Sequence, residues 1–101
     1  MARQRIDLKE GVGADPETPT VSKGKGDQVF WRNKTKRGHT ILFAVWPFVE
    51  PWQPILVPAR KDSIVFTVFE GAANGAYDYT IEPSINPPSG PPADPSVLVG
   101  D

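Results

Sequence analysis

Apolar and polar residues alternate along much of this chain, and no window of about 11 residues carries a helical apolar period. The clearest period-2 stretches predict strands. Gln28 to Arg32 puts Val29 and Trp31 on one face. Thr40 to Val45 does the same with Ile41, Phe43 and Val45, and Ser63 to Phe69 with Ile64, Phe66 and Val68. Tyr77 to Glu82 sets Tyr77, Tyr79 and Ile81 against Asp78, Thr80 and Glu82. Ser96 to Val99 is a last short strand, and Ile6 to Leu8 and Thr20 to Ser22 are weaker ones. β-Branched and aromatic residues suit half-buried pleated surfaces. About seven short strands in 101 residues predict a two-layer β-sandwich with little helix.

Turn chemistry punctuates the strands. The KGKGD run at 23–27 reads as a loop. Asn33 to Gly38 links two strands, and Asn74-Gly75 is a hairpin-type turn signal. Two longer loops are rich in proline, one from Trp46 to Ala59 and one over 83–95 before the last strand. Residues 1–19 read as an extended N-terminal segment of one domain covering 1–101.

Composition narrows the chemistry. Cysteine is absent, which excludes disulfides, thiolate metal sites and cysteine nucleophiles. The N-terminal MARQRIDLKEG has no apolar core of a Sec signal, and no apolar run is long enough for a membrane span. A cytoplasmic protein, or one exported without an N-terminal Sec signal, is expected. The net charge of −1 hides an asymmetry. Lys23, Lys25, Arg32, Lys34, Lys36 and Arg37 against Asp27 make residues 23–37 net +5. Asp62, Glu70, Asp78, Glu82, Asp94 and Asp101 make residues 62–101 net −6. Such blocks bear on association more than on fold.

Three stretches resemble the cupredoxins. TVSKGKGDQVFWRNKTKRGHTILF (20–43) is similar to the family's early strands and its His-x-apolar strand start. GAYDYTIEP (75–83) resembles its Gly-x-Tyr-x-Tyr-x-Cys strand, and SVLVGD (96–101) its final strand. The resemblance implies an all-β, Greek-key cupredoxin-like sandwich of about seven to eight strands. It also implies that His39 and Ile81 stand where the family carries a copper-binding histidine and cysteine, on neighbouring strands at one end. A second histidine and usually a methionine follow in the family. Here the loop after Ile81 has neither, and Met1 is the chain's single methionine. A blue-copper site needs a thiolate and converging imidazoles. The resemblance therefore implies the scaffold without its electron-transfer centre, like members with degenerate sites that act as structural or binding modules. No cofactor is expected.

His39 is in phase with Ile41 and Phe43, so it reads as a metal ligand or as a structural histidine bonded at a strand start. No spacing motif joins Ser22, Ser63 or Ser84 to it, GKGD is no phosphate loop, and Asp78 and Glu82 read as a solvated face. An enzyme is not expected. The loop WPFVEPW (46–52) either folds back as a lid or offers Trp46, Phe48 and Trp52 as a contact patch. With Lys23, Lys25, Lys34, Lys36 and Arg37, this patch favours a protein partner or self-association. One alternative is a degenerate copper-binding or redox protein, and a second is nucleic-acid binding through a basic 23–37 hairpin, with Phe30 and Trp31 stacking on bases, which overall acidity argues against.

Overall fold

The computed structural model describes residues 2–85 and 95–101. Among them are nine strands and no helix: β1 (Arg3–Lys9), β2 (Gly13–Asp15), β3 (Thr20–Ser22), β4 (Gln28–Asn33), β5 (His39–Phe43), β6 (Ile55–Val57), β7 (Phe66–Thr67), β8 (Gly75–Glu82) and β9 (Ser96–Gly100). One sheet has the order β2-β1-β4-β7 and the other β3-β9-β8-β5-β6. Both are mixed, because β1 runs parallel to β4 and β3 parallel to β9. Most of the proline-rich 83–95 loop lies outside the described residues.

The period-2 pattern does most of the folding. Val29 and Trp31 of β4, Ile41 and Phe43 of β5, Tyr77, Tyr79 and Ile81 of β8, and Val97 and Val99 of β9 all turn inward and are buried. Trp31 sits at the centre, edge-on to Phe43, Phe48, Phe66 and Tyr79, with ring centroids 5.5 to 6.4 Å away. That is the separation aromatic quadrupoles favour. Burial pushes the Tyr79 phenol above its ordinary range.

The structure departs from the pattern in five places, each for a local reason. β1 is a seven-residue strand with six residues in register against β4, far longer than Ile6–Leu8. Its flanking Arg3, Gln4, Arg5 and Lys9 conceal the period, and Asp7 is buried between Arg5 at 3.1 Å and Lys34 at 3.3 Å. β6 lies inside the proline-rich 46–59 loop, bracketed by Pro54 and Pro58. It is an edge strand, where proline is tolerated. Val45 lies beyond the end of β5 and faces out.

The expected strand over 63–69 shrinks to β7 because of a bulge. Arg32 opposes Asp62, yet Val29 opposes Phe66, so three steps along β4 face four along its partner. Ser63 exchanges hydrogen bonds with Trp31, its own N–H donating to the Trp31 carbonyl and its Oγ accepting the Trp31 N–H. The extra residue flips Ile64 outward, 60% exposed, before Phe66 and Val68 regain the core phase. Finally, neither glycine-rich turn closes a hairpin. β3 and β4 lie in different sheets, as do β7 and β8, so KGKGD and Asn74-Gly75 are crossovers. Gly26 and Gly75 take positive φ, but Asn74 does not.

Asp27 fastens the first of these crossovers. Its buried carboxylate accepts the Ala2 N–H at 3.0 Å and the Ser22 N–H at 2.8 Å, tying the start of β1 to the end of β3. Those two amides hold its pKa below the ordinary value of 3.8. A depressed carboxylate stabilises the fold above its unfolded pKa, and the contribution is lost as pH falls through the folded pKa. Asp27→Asn should therefore cost about 1–3 kcal/mol at neutral pH and flatten the loss of stability below about pH 4, in urea titrations followed by tryptophan fluorescence.

Candidate functional site

The loop between β4 and β5 is built around one carboxamide. Asn33 ends β4 facing inward and is almost wholly buried. Its Nδ2 donates to the carbonyls of Arg37 (2.8 Å) and Val57 (3.0 Å). Its Oδ1 accepts the Thr35 N–H at 2.8 Å and lies 2.7 Å from the Thr35 hydroxyl. The first pair of bonds closes the 34–37 loop and ties it to β6. The second is an Asx turn.

His39 begins β5 at the same end and is buried. Nδ1 lies 2.8 Å from the Pro83 carbonyl, which can only accept, so Nδ1 carries a hydrogen. Nε2 lies 3.0 Å from Thr35 Oγ1. Ile81 sits on the neighbouring β8, opposite Ile41, and so lies diagonal to His39 on the inward face. The network Asn33–Thr35–His39–Pro83 joins the ends of β4, β5, β6 and β8. Sequence reading singled out His39 but missed Asn33 and Thr35. A strand-ending Asn two residues before a Thr carries an Asx-turn signal that would have found them.

The aromatic loop lies at the other end. β5 runs from His39 away from this network, and the chain leaves its far end at Ala44. Phe48 is buried and bridges to Val68. Trp46 packs edge-on against Phe43, Phe48 and Phe66 and donates its indole N–H to the Glu50 carbonyl. These two side chains form a lid. Trp52 instead is 58% exposed, with its N–H 3.5 Å from the Phe43 carbonyl.

The basic segment is not one patch. Lys23 and Lys25 precede the start of β4, at the aromatic-loop end, where Lys23 Nζ donates to the Ala72 carbonyl. Lys34, Lys36 and Arg37 follow the end of β4, about 20 Å away at strand rise. The 23–37 hairpin is therefore absent, and Trp31 is in the core, where it cannot stack on a base. The acidic positions are dispersed too: Asp62 pairs with Arg32, Asp78 accepts from Ser96, and Asp101 accepts from Asn74. Asp94 lies outside the described residues.

Solved structures that share this architecture include amicyanins. A Cu(I) form of one mutant amicyanin aligns with TM-score 0.69 and 18% identity, over 99% of this chain and 84% of that one. A reduced Cu(I) form of another mutant at pH 4 gives 0.68 and 19%, over 99% and 84%. An oxidized mutant gives 0.66 and 18%, over 95% and 80%. The fold is that of a cupredoxin. The sequence matches no protein-family model and no curated protein.

A cupredoxin implies copper, but the residues at this end do not suit it. Ile81 offers no donor atom. His39 has one ring nitrogen donating to a carbonyl and the other against a hydroxyl, so ligation would have to break this buried network. Among the described residues no three His, Cys, Asp or Glu side chains cluster closely enough to hold an ion. Added Cu(II) should give no thiolate charge-transfer band and no stoichiometric tight binding in absorbance and calorimetric titrations. Ile81→Cys alone should not restore a site. Submicromolar copper binding lost in His39→Ala would refute this. Asn33→Ala, which strands several polar groups, should cost about 2–3 kcal/mol in denaturant titrations.

Proposed function

We propose that this chain is a non-catalytic, metal-free cupredoxin-like module that works by binding another protein. The observation that carries this reading is the division of the 46–52 loop. Trp46 and Phe48 complete the core, whereas Trp52 is left outward at the end remote from His39. Val45, Val49 and Phe69 are also outward at that end, each at least half exposed. Tryptophan is the side chain most enriched among residues that dominate interface energy.

Lys23 and Lys25 share this end and would steer an acidic partner. Exposed ion pairs contribute only about 0–1 kcal/mol each, so the apolar contact must carry the affinity. Trp52→Ala should weaken partner binding by about 2 kcal/mol or more, with little effect on stability, whereas Lys25→Ala should cost less than about 1 kcal/mol. Size exclusion with light scattering, at low and high salt, measures self-association. Affinity capture from the native extract, with wild type and Trp52→Ala side by side, measures a foreign partner. A protein that stays monomeric at high concentration and captures nothing in a Trp52-dependent way overturns the proposal.

A further inference from the structure

Three loops meet around a cavity of about 370 Å³ at the His39 end, lined by Glu10, Lys34, Thr35, Lys36, Arg37 and Arg60. Glu10 comes from the β1–β2 turn, Arg60 from the connection between β6 and β7, and the other four from the β4–β5 loop. Four cations thus face one carboxylate. We propose that this basin is a binding site for a phosphate-type oxyanion carried on a small organic group. The proposal concerns the opposite end from Trp52 and does not depend on the association proposed above.

Elsewhere cations are matched by a carboxylate or, like Arg3, Lys23 and Lys25, lack one among the described residues; what sets the basin apart is four of them around one concavity. Arg32 and Lys9 are matched at close range, by Asp62 at 2.9 Å and Asp15 at 2.8 Å. In the basin Lys34 is held by Asp7 at 3.3 Å, and Arg37 reaches Glu10 only at 4.0 Å. Lys36 and Arg60 have no carboxylate partner among the described residues. Like charges gathered in a concavity repel one another until an anion enters. Guanidinium forks match the tetrahedral oxygens of phosphate, and ammonium groups add point charge.

Backbone geometry is the second observation. Arg60 has φ of +61°, and it is the one non-glycine residue with positive φ among the described residues. Glycine would be unstrained there, yet the chain carries arginine and points it at the basin. Strain of this kind concentrates at ligand-binding positions. The facing wall is rigid, because the Asn33 carboxamide holds the Thr35 amide and the Arg37 carbonyl. Lys34 is pinned as well, its N–H donating to the Leu8 carbonyl at 2.9 Å. With the backbone fixed, the ordering cost on binding is confined to the exposed lysine and arginine side chains. The volume exceeds that of a bare phosphate ion and falls in the lower range of small-molecule pockets. A phosphomonoester should therefore bind more tightly than inorganic phosphate.

The test uses the whole chain, with phenyl phosphate and inorganic phosphate titrated at constant ionic strength. Calorimetry gives the affinity and amide NMR shifts the location. Saturable one-to-one binding is expected, with the shifts confined to residues 34–37 and 60. Arg60→Gly keeps the fold, since glycine suits the left-handed backbone, and should weaken binding at least about threefold. Arg60→Gly with Lys36→Ala should weaken it about tenfold or more. Glu10→Gln, which removes the opposing carboxylate, should tighten it about twofold. Lys25→Ala at the other end should change nothing. Responses that sodium chloride reproduces, shifts centred on residues 23–25, or variants that titrate like wild type would overturn the proposal.

Discussion

The buried carboxamide of Asn33 is the constraint on which the His39 end depends. A strand that ends inside a sandwich must place its last inward side chain among apolar neighbours, where an amide group is costly unless fully bonded. Asn33 meets that condition by serving backbone groups of the loop that follows it and of β6. Those bonds close the loop and tie it to β6. Thr35 is held beneath it, its hydroxyl meets the His39 ring, and the other ring nitrogen reaches Pro83. The outward residues Lys34, Lys36 and Arg37 are then presented on a fixed frame. A different residue at position 33 would loosen the histidine and the cationic rim together.

This arrangement ties together the strand ends that a metal would join in a copper-binding cupredoxin. In a metal site the ligand side chains hold neighbouring loops to one another through the ion. Here hydrogen bonds among Asn33, Thr35, His39 and Pro83 connect the ends of β4, β5 and β8. Ile81 is simply buried core. The histidine is thus a cross-brace between loops, and its two engaged nitrogens are the physical reason it makes a poor ligand as it stands.

How much of this could be read in the sequence depended on whether a signal was local. The alternation in β4, β5 and β8 was legible because each strand buries one face and solvates the other. β1 was obscured because long polar side chains flank only two inward apolar residues. β6 was hidden among prolines that an edge position tolerates. The bulge at Ser63–Val65 was illegible, because an inserted residue leaves no compositional mark, and it reversed the side on which Ile64 lies. At the site, His39 and Ile81 were legible through family resemblance. Arg60 was not, since no residue-level rule predicts an arginine in a left-handed position. The spatial split of the basic block was illegible for a topological reason: β4 carries the chain from one end of the sandwich to the other, so residues near in sequence are far apart in space.

That separation changes what association can look like. A contact in which Trp52 anchors and the whole basic segment pairs with acidic residues would have to span the sandwich, because Trp52 and Lys36 lie at opposite ends. Among the described residues Arg3, Lys23 and Lys25 accompany the exposed aromatics, and Lys23 is already engaged with the Ala72 carbonyl and Arg3 with the Gln28 side chain. Electrostatics at that end are therefore weak, and an interface there must be mainly apolar. The other end has the reverse character, with concentrated positive charge on a rigid loop and no exposed aromatic side chain among the residues that line it. The two ends are chemically suited to different ligands. A surface of bulky apolar groups selects by shape and buried area, whereas a cationic basin selects by charge and is sensitive to salt. Because the two ends lie about 20 Å apart at strand rise and share no partner among the described contacts, substitutions at one should act independently of the other.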